Sequence, residues 1–385
     1  MSDRNSQTRR RFLAATGTAF AGSALAGCSA LPGGNGGEQG KEQITLSDFR
    51  GSGPLVEQRP EPQGTSIEDL PALEGELTIY LGGGEGGLYV ALLDLLKKMY
   101  PKFEPKPRIN SSATLANTII QEQKGGNSPA DVFWAVDAGS LGTVAEAGYA
   151  TTLPEQVVKP VPKNFHPDDQ WVGVAGRARS VPFNTNKLSR SDIPDKVLDF
   201  PGAPTLQGNM GWAPTYGAFQ SFVTAMRVLN GEQKTKEWLN GMQKQNITEY
   251  PDEFLVSNAV ADGEIAAGFA NHYYAVRVKS ARPEAPIELA FTKDDAGALV
   301  NASGAEIIKG TQNEELAQNF IRHLLSAEAQ EFFATRTFAY PMIPGVQPVG
   351  GLPTIDELNP PELSLSKLSD IQPTIELMKE TGVLA

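Results

Sequence analysis

The stretch "EIAAGFANHYYAVRVKSA", residues 264–281, joins a short apolar run to a helical pattern. Its opening "EIAAGFAN" predicts a β-strand, and the following "HYYAVRVKSA" predicts an α-helix. The same alternation recurs along the chain from Glu76 onward, as in "ELTIYL" followed by "LYVALLDLLKKMY". Strands that alternate with helices predict parallel sheets covered on both faces, with ligands bound beyond the carboxyl ends of the strands. We therefore expect an α/β fold with a cleft between two lobes.

Two adjacent tyrosines, Tyr273 and Tyr274, fall at the predicted junction between strand and helix. In mid-strand, neighbouring side chains point to opposite faces, whereas at the first turn of a helix both can lean toward the space above the sheet. A phenol titrates at about pH 10, so it is an anion at neutral pH only beside a strong positive charge. A hard trivalent cation such as Fe(III) supplies that charge and prefers oxygen ligands. The alternative is a half-buried aromatic pair with solvated hydroxyls, and these residues alone leave both interpretations open.

The N-terminus has the features of an export signal. "TRRRFL", residues 8–13, has the arrangement of a twin-arginine signal, and the Gly/Ala-rich run that follows is too short to span a membrane comfortably. "LAGC", residues 25–28, looks like a lipobox, so we predict a signal peptide over residues 1–27 and a lipid on Cys28. The alternative is a buried free cysteine behind a chance arginine pair. Because Cys28 is the only cysteine, we expect no internal disulfide in the mature domain.

Composition and charge limit the possible partners. The 385 residues carry a formal charge of −12, and such an acidic surface argues against nucleic acid, whose phosphates it would repel. Residues 28–74 are rich in Gly, Pro, Glu, Gln and Ser, which predicts a flexible tether. The rest of the chain is long enough for two lobes. We expect the following division: lobe 1 from residues 75–175 and 300–350, and lobe 2 from residues 176–299 and 351–385.

A glycine-rich loop, Gly82–Gly87, follows the first predicted strand and satisfies the dinucleotide-binding pattern G-x-G-x-x-G. The acidic partner expected about twenty residues later is missing, which argues against a nicotinamide cofactor. A plain tight turn and a loop that turns Glu85 toward a ligand both remain open. No nucleophile elbow G-x-S-x-G occurs, and the histidines, His166, His272 and His323, are scattered. We therefore predict that the chain is not an enzyme.

Two further segments are candidates for binding an anion. Arg177 and Arg179 lie two residues apart and would share one face of a strand, which suits a carboxylate or another anion. Ordinary ion pairing at the rim of the cleft is the alternative. "APTYGAFQ" places Thr215, Tyr216 and Gly217 just before a long helical pattern. Exposed amides at a helix N-terminus bind anions, and the alternative is a simple N-cap by Thr215.

Longer stretches resemble the iron(III)-binding proteins of ABC transporters, which have the type II periplasmic-binding-protein fold. They occur in the family's order and cover most of the chain after Leu77. The matching stretches are "LTIYLGGGEG", "SPADVFWAVDAGSLGTVAEAG", "WVGVAGRARSVPFNTNKL", "GNMGWAPTYGAFQSFVTAMRVL", "NHYYAVR", "DAGALVNASGAEIIKGTQN" and "YPMIPGV". The resemblance implies two α/β lobes joined by hinge strands, with an interlobe cleft.

The resemblance also implies which residues form the site. In that family two neighbouring tyrosines of an N-x-Y-Y motif bind iron, which corresponds to Tyr273 and Tyr274. Some members use a further tyrosine at the position of Tyr250. A synergistic anion, carbonate or phosphate, is held by the asparagine of the motif and by a small-residue helix start. The corresponding residues are Asn271, Thr215, Tyr216 and Gly217.

Several positions depart from the family's ligand pattern. Gly84 and Glu85 stand in the loop where members often have a histidine or a tyrosine. Val136 stands where some members have a ligating glutamate, and Phe183 stands where others have a tyrosine. Glu85 and Asp137 are therefore the oxygen donors that we expect to complete the iron shell, unless water and the anion do so.

The implied function is that of a lipid-anchored receptor at the outer face of the cell membrane. We expect a monomer that captures Fe(III) and delivers it to a membrane permease and its ATPase. The alternatives are a receptor of the same fold for an organic acid or a thiamine-like molecule, an extracytoplasmic enzyme, and a structural envelope protein. Asn110, Asn246 and Asn301 open N-x-S/T sequons, which are acceptors for glycosylation in exported proteins.

Overall fold

The computed structural model describes residues 44–385, apart from the side chains of Gly84 and Glu85. The predicted signal peptide, Cys28 and the first part of the predicted tether lie outside the described residues. The described strands are β1 Gly75–Leu81, β2 Phe103–Ile109, β3 Val132–Ala135, β4 Ala150–Thr151, β5 Val172–Asn184, β6 Met210–Trp212, β7 Thr248–Glu249, β8 Ala267–Gly268, β9 Ala270–Asn271, β10 Ile287–Ala290 and β11 Val300–Ile308. The described α-helices are α1 Leu46–Phe49, α2 Gly84–Met99, α3 Ser112–Lys124, α4 Ala138–Glu146, α5 Glu155–Val158, α6 Gly217–Asn230, α7 Glu232–Lys244, α8 Glu253–Asp262, α9 His272–Ala281, α10 Glu314–Leu324, α11 Ala327–Phe332, α12 Ile355–Leu358 and α13 Gln372–Glu380. Among residues 44–385, no helix combines the length and the apolar character that crossing a membrane requires.

The strands form two groups that share the long strand β5. In lobe 1, β1 lies between β2 and β3 and is parallel to both. In lobe 2, β6 lies between β7 and β8, again in parallel. β5 pairs antiparallel with β11 through its first half and with β8, β9 and β10 through its second half, so it passes from one group to the other. This is the α/β architecture of two lobes joined by hinge strands that the resemblance implied. The residue boundaries given above for the lobes stay a prediction.

Strand β3 shows why parallel strands form in lobe 1. All of its residues are fully buried, and Trp134 stacks on Tyr89 of α2 with ring centroids 4.5 Å apart. A short apolar run with both faces covered is what a parallel sheet requires. The carboxyl end of β3 leads into α4 through Val136 and Asp137, which places this loop at the end of the sheet where ligands bind.

Residues 44–74, the described part of the predicted flexible tether, pack against the globule. Phe49 is buried, and both Arg50 and Arg59 bind the buried carboxylate of Glu331. Its oxygens lie 2.8 Å from Nε of Arg50 and 2.9 Å from Nη2 of Arg59. The composition did not predict this packing because single apolar side chains and long-range ion pairs leave no periodic pattern in the sequence.

The stretch from residue 264 to residue 281 folds as a junction between strand and helix. The predicted strand forms as two short pieces, β8 and β9, and the predicted helix is α9. At Gly268 a Cβ atom would lie 2.3 Å from Cγ1 of Val256, so only glycine fits where α8 packs on β8. Tyr273 and Tyr274 occupy the first turn of α9, as predicted.

Glu306 in β11 has an effect on stability that can be measured. It is completely buried, and neither carboxylate oxygen has a hydrogen-bond partner among the described residues. Burial raises the pKa of this carboxyl well above its usual range. The folded protein therefore holds a proton that the unfolded chain releases above about pH 4 to 5. Stability falls as the pH rises from there through the folded-state pKa. We expect Glu306→Gln, which cannot ionise, to raise the free energy of unfolding at neutral pH, by about 1.4 kcal/mol for each pH unit over which only the folded wild type holds the proton, and to flatten its dependence on pH.

Urea unfolding at about pH 5 and about pH 8 measures this difference. Glu331→Gln is the matched control, because Glu331 is equally buried but is bound by Arg50 and Arg59. This control should lose stability where Glu306→Gln gains it. Lower stability of Glu306→Gln than of the wild type at the higher pH would contradict the prediction.

Candidate binding site in the interlobe cleft

A cavity of ≈ 530 Å³ lies between the two lobes. Lobe 1 contributes the start of α4 and one face of α3, and lobe 2 contributes the starts of α6 and α9. Arg177 of β5 and Asn301 of β11 lie on the hinge strands between them. The lining residues that the sequence analysis had singled out are Val136, Asp137, Arg177, Tyr216, Gly217, Asn271, Tyr273 and Asn301.

Tyr273 and Tyr274 form one compact aromatic unit at the start of α9. Both are nearly buried, and their ring centroids lie 4.2 Å apart at an angle of 44°. The guanidinium of Arg277, one turn further along the helix, lies 4.9 Å from the ring centroid of Tyr273 and 5.7 Å from that of Tyr274. Tyr273 lines the interlobe cavity, whereas Tyr274 lines a neighbouring cavity of ≈ 590 Å³ in lobe 2.

A third phenol joins this pair from another helix. The hydroxyl of Tyr216, at the start of α6, is hydrogen-bonded to the hydroxyl of Tyr274, and Tyr216 lines both cavities. The sequence analysis placed Tyr216 with the anion and did not predict this contact, since the two residues are 58 positions apart in the chain. The sequence contained one signal for this contact, because Tyr216 stands at the start of a long helical pattern. A side chain at that position faces the same space as the Tyr273–Tyr274 junction.

The hydroxyl of Tyr274 resists ionisation in the absence of a cation. Burial, the neighbouring phenol of Tyr273 and the hydrogen bond with Tyr216 raise the pKa of Tyr274 far above its ordinary value. Tyr274 is therefore a neutral phenol in the empty site at any physiological pH. A bound cation reverses this, because its charge stabilises the phenolate directly.

A buried network holds the asparagine at the entrance to α9. Nη1 of Arg179 lies 2.5 Å from Oε1 of Glu253 and 3.2 Å from Oδ1 of Asn271. The other carboxylate oxygen of Glu253 accepts the backbone N–H of Asn271 at 2.8 Å. Because its amide oxygen is occupied by Arg179, Asn271 is left to present its NH₂ group to the cavity that it lines. The structure thus places Arg179, predicted to bind an anion, behind the wall of the cavity, where it orients Asn271.

The start of α6 supplies donors for an anion. Gly217, Ala218 and Ser221 line the cavity, and no side chain caps the N-terminus of this helix among the described residues. The first backbone N–H groups of a helix have no intrahelical partner, and the helix dipole adds partial positive charge there. Thr215 is exposed and lies outside the lining set, so it does not act as the N-cap that we considered.

Asp137 is the carboxylate that lobe 1 places at the cavity among the described residues. Asp137 caps α4, since its Oδ1 accepts the N–H of Ser140 at 2.8 Å and its Oδ2 accepts the Ser140 hydroxyl at 3.0 Å. A carboxylate oxygen has capacity for a further partner, so this cap does not exclude a metal. The side chain of Glu85 lies outside the described residues.

Two other positions from the sequence analysis lie away from the cavity. Phe183 is buried in β5, opposite Ala267 of β8. Tyr250 packs on Gly211 of β6, and its backbone N–H donates to the carbonyl of Trp212. Burial and the carboxylate of Glu264 raise the pKa of Tyr250. Tyr250 does not line the interlobe cavity. Its assignment as a metal ligand therefore stays a prediction.

Carboxylates, imidazoles and thiols do not form a metal site of their own in the described part of the chain. Among residues 44–385, no group of three or more His, Cys, Asp or Glu side chains is placed to hold a metal ion. Among the described residues of the cleft, the candidate oxygen ligands that cluster together are thus the phenols at the starts of α6 and α9.

Comparison with known proteins places these features in context. Residues 127–367 match the family described as "Bacterial extracellular solute-binding protein". The "Major ferric iron-binding protein" of Neisseria meningitidis serogroup B is 33% identical over 288 residues, which are 72% of this chain and 85% of that protein. Iron-bound HitA from Pseudomonas aeruginosa is 28% identical with a TM-score of 0.69, over 80% of this chain and 99% of HitA. A Trichodesmium protein (IdiA, FutA) in complex with iron and citrate is 26% identical with a TM-score of 0.66, over 80% of this chain and 99% of that protein.

Proposed function

Because this chain belongs to the bacterial extracellular solute-binding proteins, with ferric iron-binding proteins among its relatives, we propose that it captures Fe(III) in the interlobe cleft. It has the type II periplasmic-binding-protein fold and is a transport protein rather than an enzyme. The observation that carries the proposal is the convergence of three phenols, Tyr216, Tyr273 and Tyr274, from the starts of two helices.

Three phenolates match the charge of Fe(III) and its preference for hard oxygen donors. Iron takes the place of the phenolic protons, including the one held between Tyr216 and Tyr274. Arg277 then lies over two phenolate rings and stabilises their negative charge. The ligand set proposed for lobe 2 is therefore Tyr273 and Tyr274 with Tyr216 as the third donor.

An anion completes the lobe 2 half of the site in this proposal. Its oxygens accept from the N-terminal N–H groups of α6 and from the amide of Asn271, with Arg177 on the hinge strand beside them. Carbonate and phosphate both fit these donors. The citrate found with iron in the Trichodesmium protein shows that a carboxylate accompanies iron in one relative.

Lobe closure supplies the remaining donors. β5 and β11 are the hinge, and rotation about them brings the start of α4 toward the phenols. Asp137 and Glu85 are the carboxylates that we propose to reach iron from lobe 1. Because the proposed ligands come from both lobes, binding of the ion favours the closed state of the protein. The closed state has a shape that a transporter can recognise.

The export route and partners are proposed from the sequence. A twin-arginine signal over residues 1–27 and a lipid on Cys28 would hold the protein at the outer face of the cell membrane. There a monomer would deliver iron to an ABC permease and its ATPase. Residues 44–74 pack on the globule, so the segment available as a tether is the one between Cys28 and the described residues.

Titration of the purified protein with ferric citrate tests the proposal. We expect a visible charge-transfer band that saturates at one iron per chain and that fades as the pH falls, because every phenolic proton that iron displaces costs about tenfold in affinity per pH unit. Metal analysis of the protein as isolated should find iron. A colourless protein that takes up no iron at about pH 8, while it binds an organic acid without metal in calorimetry, would contradict the proposal and favour a receptor for that acid.

A further inference from the structure

His272, between Asn271 and Tyr273, uses both ring nitrogens on backbone groups. It is 1% exposed. Nδ1 lies 3.2 Å from the backbone nitrogen of Ala178, and Nε2 lies 2.7 Å from the carbonyl oxygen of Phe338. A backbone N–H only donates, so Nδ1 accepts from Ala178, and Nε2 carries the ring proton and donates it to Phe338. One neutral tautomer satisfies both bonds.

The two partners of His272 lie on the hinge strand and in lobe 1. Ala178 is the residue of β5 that pairs with Val300 of β11, at the hinge. Phe338 follows a π-helical turn, Phe333–Thr337, whose first ring packs edge-on against Tyr89 in lobe 1. The first residue of the lobe 2 helix α9 is thus bonded to the hinge strand and to a segment of lobe 1.

The segment around Phe338 is held in a defined shape. Phe338 has a left-handed backbone (φ 58°), which a non-glycine residue adopts only where its surroundings enforce it. Two residues later, Tyr340 forms a backbone bridge with Gly176 of β5, and its ring centroid lies 4.5 Å from that of His272. The carbonyl that accepts from His272 is therefore fixed relative to the hinge strand.

The imidazole also contacts the iron-binding phenol that follows it. The rings of Tyr273 and His272 meet edge-on, at 89° with 5.7 Å between centroids, and the ring of Tyr273 also packs on that of Tyr274 with 4.2 Å between centroids. Tyr273 therefore contacts both a ring anchored at the hinge and the second phenol. A change in the orientation of His272 would alter the packing of Tyr273.

We propose that His272 is a positioning residue for iron capture, which fixes the phenol of Tyr273 relative to the hinge so that one oxygen geometry is kept as the lobes open and close. The inference rests on the proposed function, since it assumes that Tyr273 binds iron. In this role His272 does more than stabilise the fold. It sets the geometry in which Tyr273 coordinates iron and the rate at which iron leaves.

Two substitutions separate the two bonds of His272. In His272→Gln the side-chain amide nitrogen reaches as far as Nε2 and can still donate to Phe338. In His272→Asn the side-chain oxygen reaches as far as Nδ1 and can still accept from Ala178. We expect both variants to bind iron with a shifted charge-transfer maximum and to release it to a competing chelator on the order of 10- to 100-fold faster, the usual effect of losing a group that orients a metal ligand.

His323→Gln is the matched control. His323 is also fully buried, with Nδ1 2.7 Å from the carbonyl oxygen of Asn319 and Nε2 3.1 Å from the Tyr100 hydroxyl. It lies on α10 in lobe 1 and does not line the interlobe cavity. This variant should lose thermal stability as the His272 variants do, but its band and its iron-release rate should equal those of the wild type.

A second variant acts from the other end of the same bond. Phe338→Gly suits the left-handed backbone and should fold, while it loosens the carbonyl that accepts from His272. We expect faster iron release from Phe338→Gly as well. Its release rate tests the positioning role if the His272 variants do not fold.

NMR of isotope-labelled tyrosine rings in the iron-free protein separates this inference from the proposed function. The Tyr273 ring signals should shift in the His272 and Phe338 variants and stay unchanged in His323→Gln. Disturbed Tyr273 signals together with a wild type that shows no ferric band would refute the proposed function, and with it a role in iron capture, and would leave His272 as a residue that only orients the Tyr273 ring. Unchanged ring signals, band and release rate in folded variants would overturn the positioning role and leave His272 with a structural one.

Discussion

Replacing Tyr273 and Tyr274 together by phenylalanine is expected to abolish the visible ferric band and to weaken Fe(III) binding on the order of 10³-fold or more. Structural Zn²⁺ held by four protein ligands binds with about 10–16 kcal/mol, which gives a scale of about 2.5–4 kcal/mol for each ligand. Losing two of them multiplies the dissociation constant accordingly. The rings keep their mutual contact at 4.2 Å without the hydroxyls, so the fold should survive. Absorbance and equilibrium competition with a chelator measure the two effects.

Tyr80→Phe is the control for this pair. Tyr80 is as buried as the two ligands, and its hydroxyl donates to Glu122 in lobe 1 at 2.8 Å. This variant should keep the full band. Tyr216→Phe should give an intermediate result, with weaker binding and a band at a different wavelength, because one phenolate fewer changes the charge-transfer transition. A double variant at Tyr273 and Tyr274 that kept its colour would show that iron is bound elsewhere.

The sequence predicted the fold and the position of Tyr273 and Tyr274 at a helix start because these depend on local patterns. Alternation of apolar strands and helices led to parallel strands in each lobe, and the junction before α9 formed where the pattern changed period. Tyr273 and Tyr274 could be placed at this junction without knowledge of any distant residue. The antiparallel course of β5 past β11, β8 and β10 left no such local pattern and was implied only by the resemblance.

The parts that could not be predicted depend on contacts between distant segments. Arg177 and Arg179 share one face of a strand by period, which suggested a common role. The structure separates them, because Glu253 from α8 binds Arg179 beneath the wall while Arg177 lines the cavity. The bond between Tyr216 and Tyr274 likewise joins two helices that are separated by most of lobe 2. No spacing rule within one element encodes either contact.

The proposed site divides its ligands between the two lobes. In lobe 2, Tyr216 is hydrogen-bonded to Tyr274, and Glu253 accepts the backbone N–H of Asn271. In the proposed mechanism, Asp137 of lobe 1 reaches iron as the lobes close. We expect a receptor of this kind to bind iron first through lobe 2 and to gain affinity on closure, so that opening at the transporter would lower affinity and favour release.

Replacing Glu253 by glutamine is expected to destabilise the protein by about 3–5 kcal/mol, because it leaves the guanidinium of Arg179 buried without its counter-charge. The two side chains are 4% and 0% exposed and 2.5 Å apart. Glutamine keeps an oxygen for the N–H of Asn271, so the loss isolates the ion pair from that hydrogen bond. Urea unfolding of the iron-free protein measures the effect. Iron affinity should fall with it, since Arg179, which orients Asn271, then lacks the carboxylate that holds its guanidinium in place.

An exposed ion pair of equal length shows whether burial causes the loss of stability expected for Glu253→Gln. Arg282 and Asp262 also lie 2.5 Å apart in lobe 2, but their side chains are 42% and 48% exposed. Asp262→Asn should therefore cost only about 0–1 kcal/mol, because water and salt screen the pair. A cost for Glu253→Gln no greater than that of Asp262→Asn would contradict the buried-charge explanation.

Removing both charges of the buried pair is the sharper test. The double variant Arg179→Met with Glu253→Leu leaves no uncompensated charge. It loses the acceptor for the backbone N–H of Asn271 and the donor to its amide oxygen, but Asn271 lines the cavity, where water can bind the amide oxygen instead. The loss of the acceptor is worth about 1–3 kcal/mol, so the double variant should be more stable than Glu253→Gln although it changes more atoms. This order of stabilities follows only if the unpaired guanidinium is the main cost. The opposite order would mean that Glu253 stabilises the protein chiefly through its hydrogen bond to Asn271 at the start of α9.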